Sequence, residues 1–262
     1  MNDADRYYRN SGGVPFIGTL MTFATGLVGA VVFGLIYTLV CWYNPVVFFT
    51  IFATGCLGVG TGWAVRVGAE WGHVRNRLFA TIVGAFCGAA TVYFSWVGYV
   101  VASTNFGRFT LDPEILWGFV QQLAMNPIWS IGDYTPVGDE LRTLWTIEAG
   151  VIILISLAAA GTVGRPYCEP CGAWTVVRKN AAAAASADPA PLRCALEEGK
   201  YEFLESLRWR AIDPDDRLLL TLHTCPRCRD SNYLTIDRHR MKVGHARPPL
   251  PAGAGGGRRS NA

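Results

Sequence analysis

The sequence predicts a membrane α-helical bundle of four transmembrane helices, followed by a small α+β domain. Three observations carry this. The 262-residue chain is 51% hydrophobic and 16% charged, against about 25% charge in an average soluble domain. Its apolar residues gather into long runs before Arg165. Two Cys-x-x-Cys pairs, Cys168/Cys171 and Cys225/Cys228, stand after that point.

Residues 1–13 form a polar segment of mixed charge, without the basic start of a signal peptide. The first span runs from Phe16 to Tyr43, longer than the ~20 residues a bilayer requires. Trp42 and Tyr43 close it with interfacial aromatics, and Asn44-Pro45 turns the chain. The second span covers 46–67 and is dense in glycine. Gly58 and Gly62 form a GxxxG pair; Gly26, Ala30 and Gly34 in the first span, and Gly84 and Gly88 in the third, share the spacing. In lipid such spacing lets backbones approach closely, and we read it as packing within one chain rather than as a dimer seam. The third span covers 78–102, with Tyr93, Trp96 and Tyr99 towards its far end. The fourth covers 144–163.

Between the last two spans lies a loop, 103–142, with two basic residues against five acids. Within it Glu114 to Met125 reads as a helix, capped by Asp112 with Pro113 in its first turn and with Ile115, Phe119 and Leu123 at four-residue steps. Trp117 and Trp129 suit a helix lying in the headgroup region. Glu148 interrupts the fourth span. A carboxylate there marks either a proton or cation relay or a boundary residue reaching water, and its shallow depth favours the second. His73 reads as a solvated loop residue.

Basic residues set the orientation. Arg66, Arg75 and Arg77 cluster in one connection, and 16 of the 23 Lys/Arg follow Gly164. The positive-inside rule then places the 66–77 connection, the C-terminal domain and both termini of a multi-pass cell-membrane protein in the cytoplasm.

Cys168-Glu-Pro-Cys171-Gly and Cys225-Pro-Arg-Cys228 supply four thiolates in a reducing compartment. That is the ligand set of a closed tetrahedral zinc site. Two residues between ligands let a tight turn bring both sulfurs to one ion, and Gly172 offers a position free to adopt positive φ. Four thiolates also suit iron, the chemical rival. Strand-like runs follow each pair (Ala173–Arg178, Asn232–Asp237), and Arg217–His223 leads into the second. These features, over 167–178 and 217–241, resemble a zinc ribbon of the rubredoxin-like knuckle kind. The 53 residues between Cys171 and Cys225 exceed the usual 15–20. They read as an insertion: an alanine-rich linker from Asn180 to Pro191, then a helical segment over 192–209 that Gly199 divides. The domain spans 165–244, and a disordered basic tail covers 245–262. Cys194, His223 and His239 are read as helix, strand or loop residues outside the site.

The expected function follows from that architecture. The bundle anchors in the lipid bilayer a structural zinc ribbon that mediates protein–protein interaction at the cytoplasmic face. A transporter or channel subunit using Glu148 is the alternative from a different class; an iron-binding electron-transfer protein is another. No Ser/His/Asp constellation, HExxH or phosphate loop is present, so an enzyme is not expected. The ribbon also lacks the aromatic interleaving that nucleic-acid binding would use.

Overall fold

The structure is a computed structural model. It describes residues 7–43, 47–105, 107–126, 130, 133–185, 189–202, 205, 216–228 and 232–240. The Asn44-Pro45 turn, Trp129, most of the second half of the 192–209 segment and the 245–262 tail lie outside the described residues. The chain divides into two compact units, Tyr8–Trp174 and Thr175–Ala262 with Met1–Tyr7.

The first unit holds five helices: α1 (Phe16–Tyr43), α2 (Val47–Trp71), α3 (Arg77–Ser103), α4 (Pro113–Ala124) and α5 (Asp139–Ala160). Helices α1, α3 and α5 are long and apolar enough to cross a membrane, the pattern of a multi-pass membrane protein. Helix α2 is 25 residues long and continues to Trp71, beyond the 46–67 span, with Arg66 and Glu70 paired across one turn at 2.9 Å. Helix α1 packs on α2 and α3, and α5 packs on the same two.

Glycines set how closely these helices approach. A Cβ on Gly58 would stand 2.8 Å from Ile155 Cβ, and one on Gly62 2.6 Å from Ala159 Cβ. On α3, a Cβ on Gly84 would stand 2.5 Å from Ala160 Cβ. The four-residue spacing in α2 and α3 is thus consumed within the chain, each stripe facing α5. Hydroxyl groups add directional contacts between the same helices. Ser156 Oγ donates to the Gly58 carbonyl at 3.1 Å, Thr38 Oγ1 to the Ser95 carbonyl at 2.7 Å, and Thr61 and Thr91 hydroxyls meet at 3.0 Å. In lipid, where apolar burial supplies no drive to associate, such packing and hydrogen bonding hold helices together.

Helix α4 begins as its sequence predicts. Asp112 caps it by accepting from the Glu114 amide at 2.9 Å, with Pro113 in the first turn. The buried stripe is Leu116, Val120 and Ala124, one residue on from the expected Ile115, Phe119 and Leu123. Leu116 packs against Val97 and Val100 of α3, with Phe119 beside them. Ile115 and Trp117 stay exposed.

After α5 comes a two-residue hairpin, β1 (Tyr167–Cys168) with β2 (Ala173–Trp174), which belongs to the first unit. The second unit contains the antiparallel sheet β3 (Val176–Ala185), β4 (Asp216–Thr224) and β5 (Asn232–Arg240), in that order, and helix α6 (Pro189–Glu197). Strand β3 runs through the alanine stretch that composition marks as linker. Ala182–Ala185 pair with Leu220–Arg217 after a register shift. Backbone donors and acceptors form a ladder whatever the side chain, and a partner strand supplied from 30 residues downstream is invisible to local composition. Helix α6 starts at Pro189 and ends at Glu197; Gly199, at φ +76°, stands just beyond it.

Candidate metal centre

Each cysteine pair sits on the turn of an antiparallel hairpin. The first lies across β1 and β2, where Cys168 pairs with Ala173 and Tyr167 with Trp174. Gly172 adopts φ +60°, and its amide donates to the Glu169 carbonyl at 3.3 Å. A side chain at that φ would be strained, which explains the glycine after the second ligand. The second pair follows β4 and precedes β5, above the closing pair Thr224 and Asn232. There the Arg227 amide donates to Cys225 Sγ at 3.4 Å, the support a thiolate ligand needs.

The Sγ atoms of Cys168, Cys171, Cys225 and Cys228 all lie within 4.8 Å of one another. A tetrahedron with metal–sulfur bonds of ~2.3 Å has edges of about 3.8 Å, so the four atoms contract by less than 1 Å or so to close on one ion. None of the eight cysteines is in a disulfide. Cys168 and Cys225 are buried, Cys171 and Cys228 half-buried. The donor set therefore fits zinc or iron, and a bound ion would supply a cross-link between two hairpins distant in sequence. Four protein ligands fill a tetrahedral shell and leave no position for an activated water.

The residues outside the cluster also have places. Cys194 lies exposed on α6, its sulfur 3.6 Å from Glu198. His223 Nε2 meets Thr235 Oγ1 at 3.2 Å, and burial pushes its pKa down. His73 is exposed, as expected of a loop histidine.

Sequence reasoning did not find the platform under the first hairpin. The corner between α2 and α3 holds it. Trp174 Nε1 donates to the Glu70 carbonyl at 2.7 Å, and its ring packs on the cluster of Ala69, Val74, Ala80 and Val163. The Glu70 carboxylate accepts from Arg66 at 2.9 Å and from Arg165. Arg75 pairs with Glu169, its guanidinium 4.6 Å from the centre of the Tyr167 ring. The N-terminal segment completes the platform. Gly13 accepts from the Arg75 amide at 2.9 Å, and Tyr8 accepts from the Tyr167 amide at 3.0 Å. A hydrogen bond from Ser11, then the Arg75 partnership, holds Glu169 below the usual carboxylate range. Arg77 and Arg66 bind the end of α5 through the Gly161 carbonyl and the Thr162 hydroxyl, each at 3.0 Å. The three arginines of this connection are thus its local clamps. The only sequence signal for this was the run of arginines with one interposed acid.

Replacing Trp174 by Phe keeps the ring and deletes the Nε1 donor. The expected cost is about 1 kcal/mol. Amide exchange over residues 167–174 should accelerate roughly fivefold, with α1 unaffected.

Comparison with protein-family models, with curated proteins and with solved structures returns no match for this chain, so its own residues carry the functional reading.

Proposed function

We propose that this protein is a four-span integral membrane protein whose structural zinc ribbon binds a protein partner at the cytoplasmic face. The observation that carries the reading is the convergence of four thiols from two hairpins, with sulfurs within 4.8 Å of one another. A filled thiolate shell serves folding and presentation rather than turnover. Helix α2 supports a fourth span. It exposes Ile51, Phe52, Val59 and Trp63 along its length, a surface suited to lipid. Arg66, Arg75, Arg77 and Arg165 lie at or near one end of the bundle, at the α2–α3 corner and the end of α5, which supports a cytoplasmic position for that end. The exposed Trp117 and Ile115 of α4 suit a helix lying at the opposite headgroup layer.

Elemental analysis of the purified full-length protein tests the metal. About one zinc per chain is expected, lost in Cys168→Ser and in Cys225→Ser. Protein without metal, or with metal unaffected by either substitution, overturns the reading. Iron with thiolate-to-iron absorption would replace it by the electron-transfer alternative. A membrane-impermeant maleimide directed at exposed Cys194 tests the sidedness: labelling should require permeabilised cells. Cross-linking in native membranes then identifies what the ribbon touches.

A further inference from the structure

Glu148 lies nine residues into α5, about 13 Å along its axis from Asp139. Two other helices reach it. The Tyr37 hydroxyl of α1 donates to Glu148 Oε1, and Thr54 Oγ1 of α2 stands 2.9 Å from the same oxygen. Tyr37 Oη and Thr54 Oγ1 are 3.2 Å apart, and the Thr50 carbonyl is 2.9 Å from Thr54 Oγ1. Four oxygens from three helices therefore share one small volume. Thr54 is 5% exposed, and Tyr37 and Glu148 are half-buried.

The donor hydrogens here are few: two hydroxyls, with the Cys41 thiol beside Tyr37. Each hydroxyl carries one hydrogen. Thr54 has two acceptors besides Tyr37 within reach, and Tyr37 has one besides Thr54. Nor is the charge balanced. No ion pair to Glu148 occurs among the described residues. Helix α1 contains no basic residue, and Arg142, the basic residue of α5, pairs with Asp139. A carboxylate at this depth is expensive until something neutralises it.

Charge and donor type define what that is. A single positive charge cancels Glu148, whereas a divalent ion would leave one charge uncompensated in the bundle. The Cys41 thiol stands beside Tyr37, but the atoms against the carboxylate itself are hydroxyl oxygens, which suit a hard metal ion. The 103–142 loop carries five acids against two arginines, with Asp139 and Glu140 in the first turn of α5, a charge excess that favours cations near that end. One turn nearer the start of α5, Trp145 packs edge-on against Trp96 at 5.0 Å.

We propose that Glu148, Thr54 and Tyr37 form an alkali-metal-ion site inside the helix bundle. Glu148 supplies the charge, and the two hydroxyls turn their lone pairs to the ion. The site is independent of the cysteine centre and gives the bundle a ligand of its own.

Melting of the full-length protein in nanodiscs, followed by its helical signal, tests this in NaCl, KCl and choline chloride at equal ionic strength. The midpoint is expected to rise with the concentration of one or both metal ions, and not with choline, as linkage to a ligand of the folded state requires. Glu148→Gln, which keeps the shape, should melt at one temperature in all three salts. Tyr37→Phe should need at least tenfold more salt for the same rise. A wild-type midpoint indifferent to the cation overturns the site. So does a Glu148→Gln variant that keeps the response, or stabilisation by acid alone, which would assign the position to a proton. If Glu148→Gln fails to fold, an undiminished salt response in Tyr37→Phe is the overturning result.

Discussion

Removing the metal with a strong chelator is expected to unfold the β3–β4–β5 sheet while α1 to α5 keep their helicity. Among the described residues of its unit, the buried apolar side chains are Leu192, Leu220 and Cys225, far short of the core that a small domain needs to stand alone. A structural zinc site contributes ~10–16 kcal/mol of apparent binding energy, and that energy is folding energy. Amides of residues 216–224 and 232–240 should lose essentially all exchange protection on chelation. Cys225→Ser should reproduce the effect without chelator, and Cys194→Ser should not. The first hairpin makes the sharper comparison. Its anchors to Glu70, Arg75 and Tyr8 are all within residues 8–174, so residues 167–174 should stay protected when the sheet does not. Retained protection in β4 and β5 after complete metal removal would reject a folding role for the ion.

The second large effect is expected in the bundle. Gly62→Leu and Gly84→Leu should each destabilise it by about 3 kcal/mol or more, the upper end for overpacking. At Gly62 the added carbon meets Ala159 Cβ and, at 3.1 Å, the Ala160 nitrogen; at Gly84 it meets Ala160 Cβ and, at 3.0 Å, the Ser156 carbonyl oxygen. Backbone cannot turn aside as a side chain can, so α5 must move outward and the Ser156 bond to Gly58 is strained with it. Gly55→Leu is the control, since nothing lies within 4 Å of its added carbon. Thermal melting of the helical signal and the monodisperse fraction on size exclusion measure both. Equal behaviour of Gly55→Leu and Gly62→Leu would mean that α5 does not pack against that stripe.

The parts of this molecule legible in its sequence are those written locally. Asp112-Pro113 announces the start of α4 because capping uses residues within one turn. The glycine stripes announce close helix approach because spacing alone places them on one face. The cysteine pairs announce their turns for the same reason. What stayed hidden depends on partners far along the chain. Ala182–Ala185 form strand because β4 arrives beside them. The neighbours of Glu148, Tyr37 and Thr54, lie 111 and 94 residues away along the chain. Arg66 and Glu70 read locally as connection charges, and their role is visible only with Arg165 and Trp174 in place.

That corner has a consequence for biogenesis. The contacts of the first hairpin described above all lie within residues 8–174, so a ribosome has yet to add the next fifty or so when the platform can close. At ~5–20 residues per second, Cys225 emerges about 3–11 s after Cys171. For that interval the nascent chain displays one thiol pair, docked and waiting, and the last hairpin to leave the exit tunnel would decide when an ion could be captured.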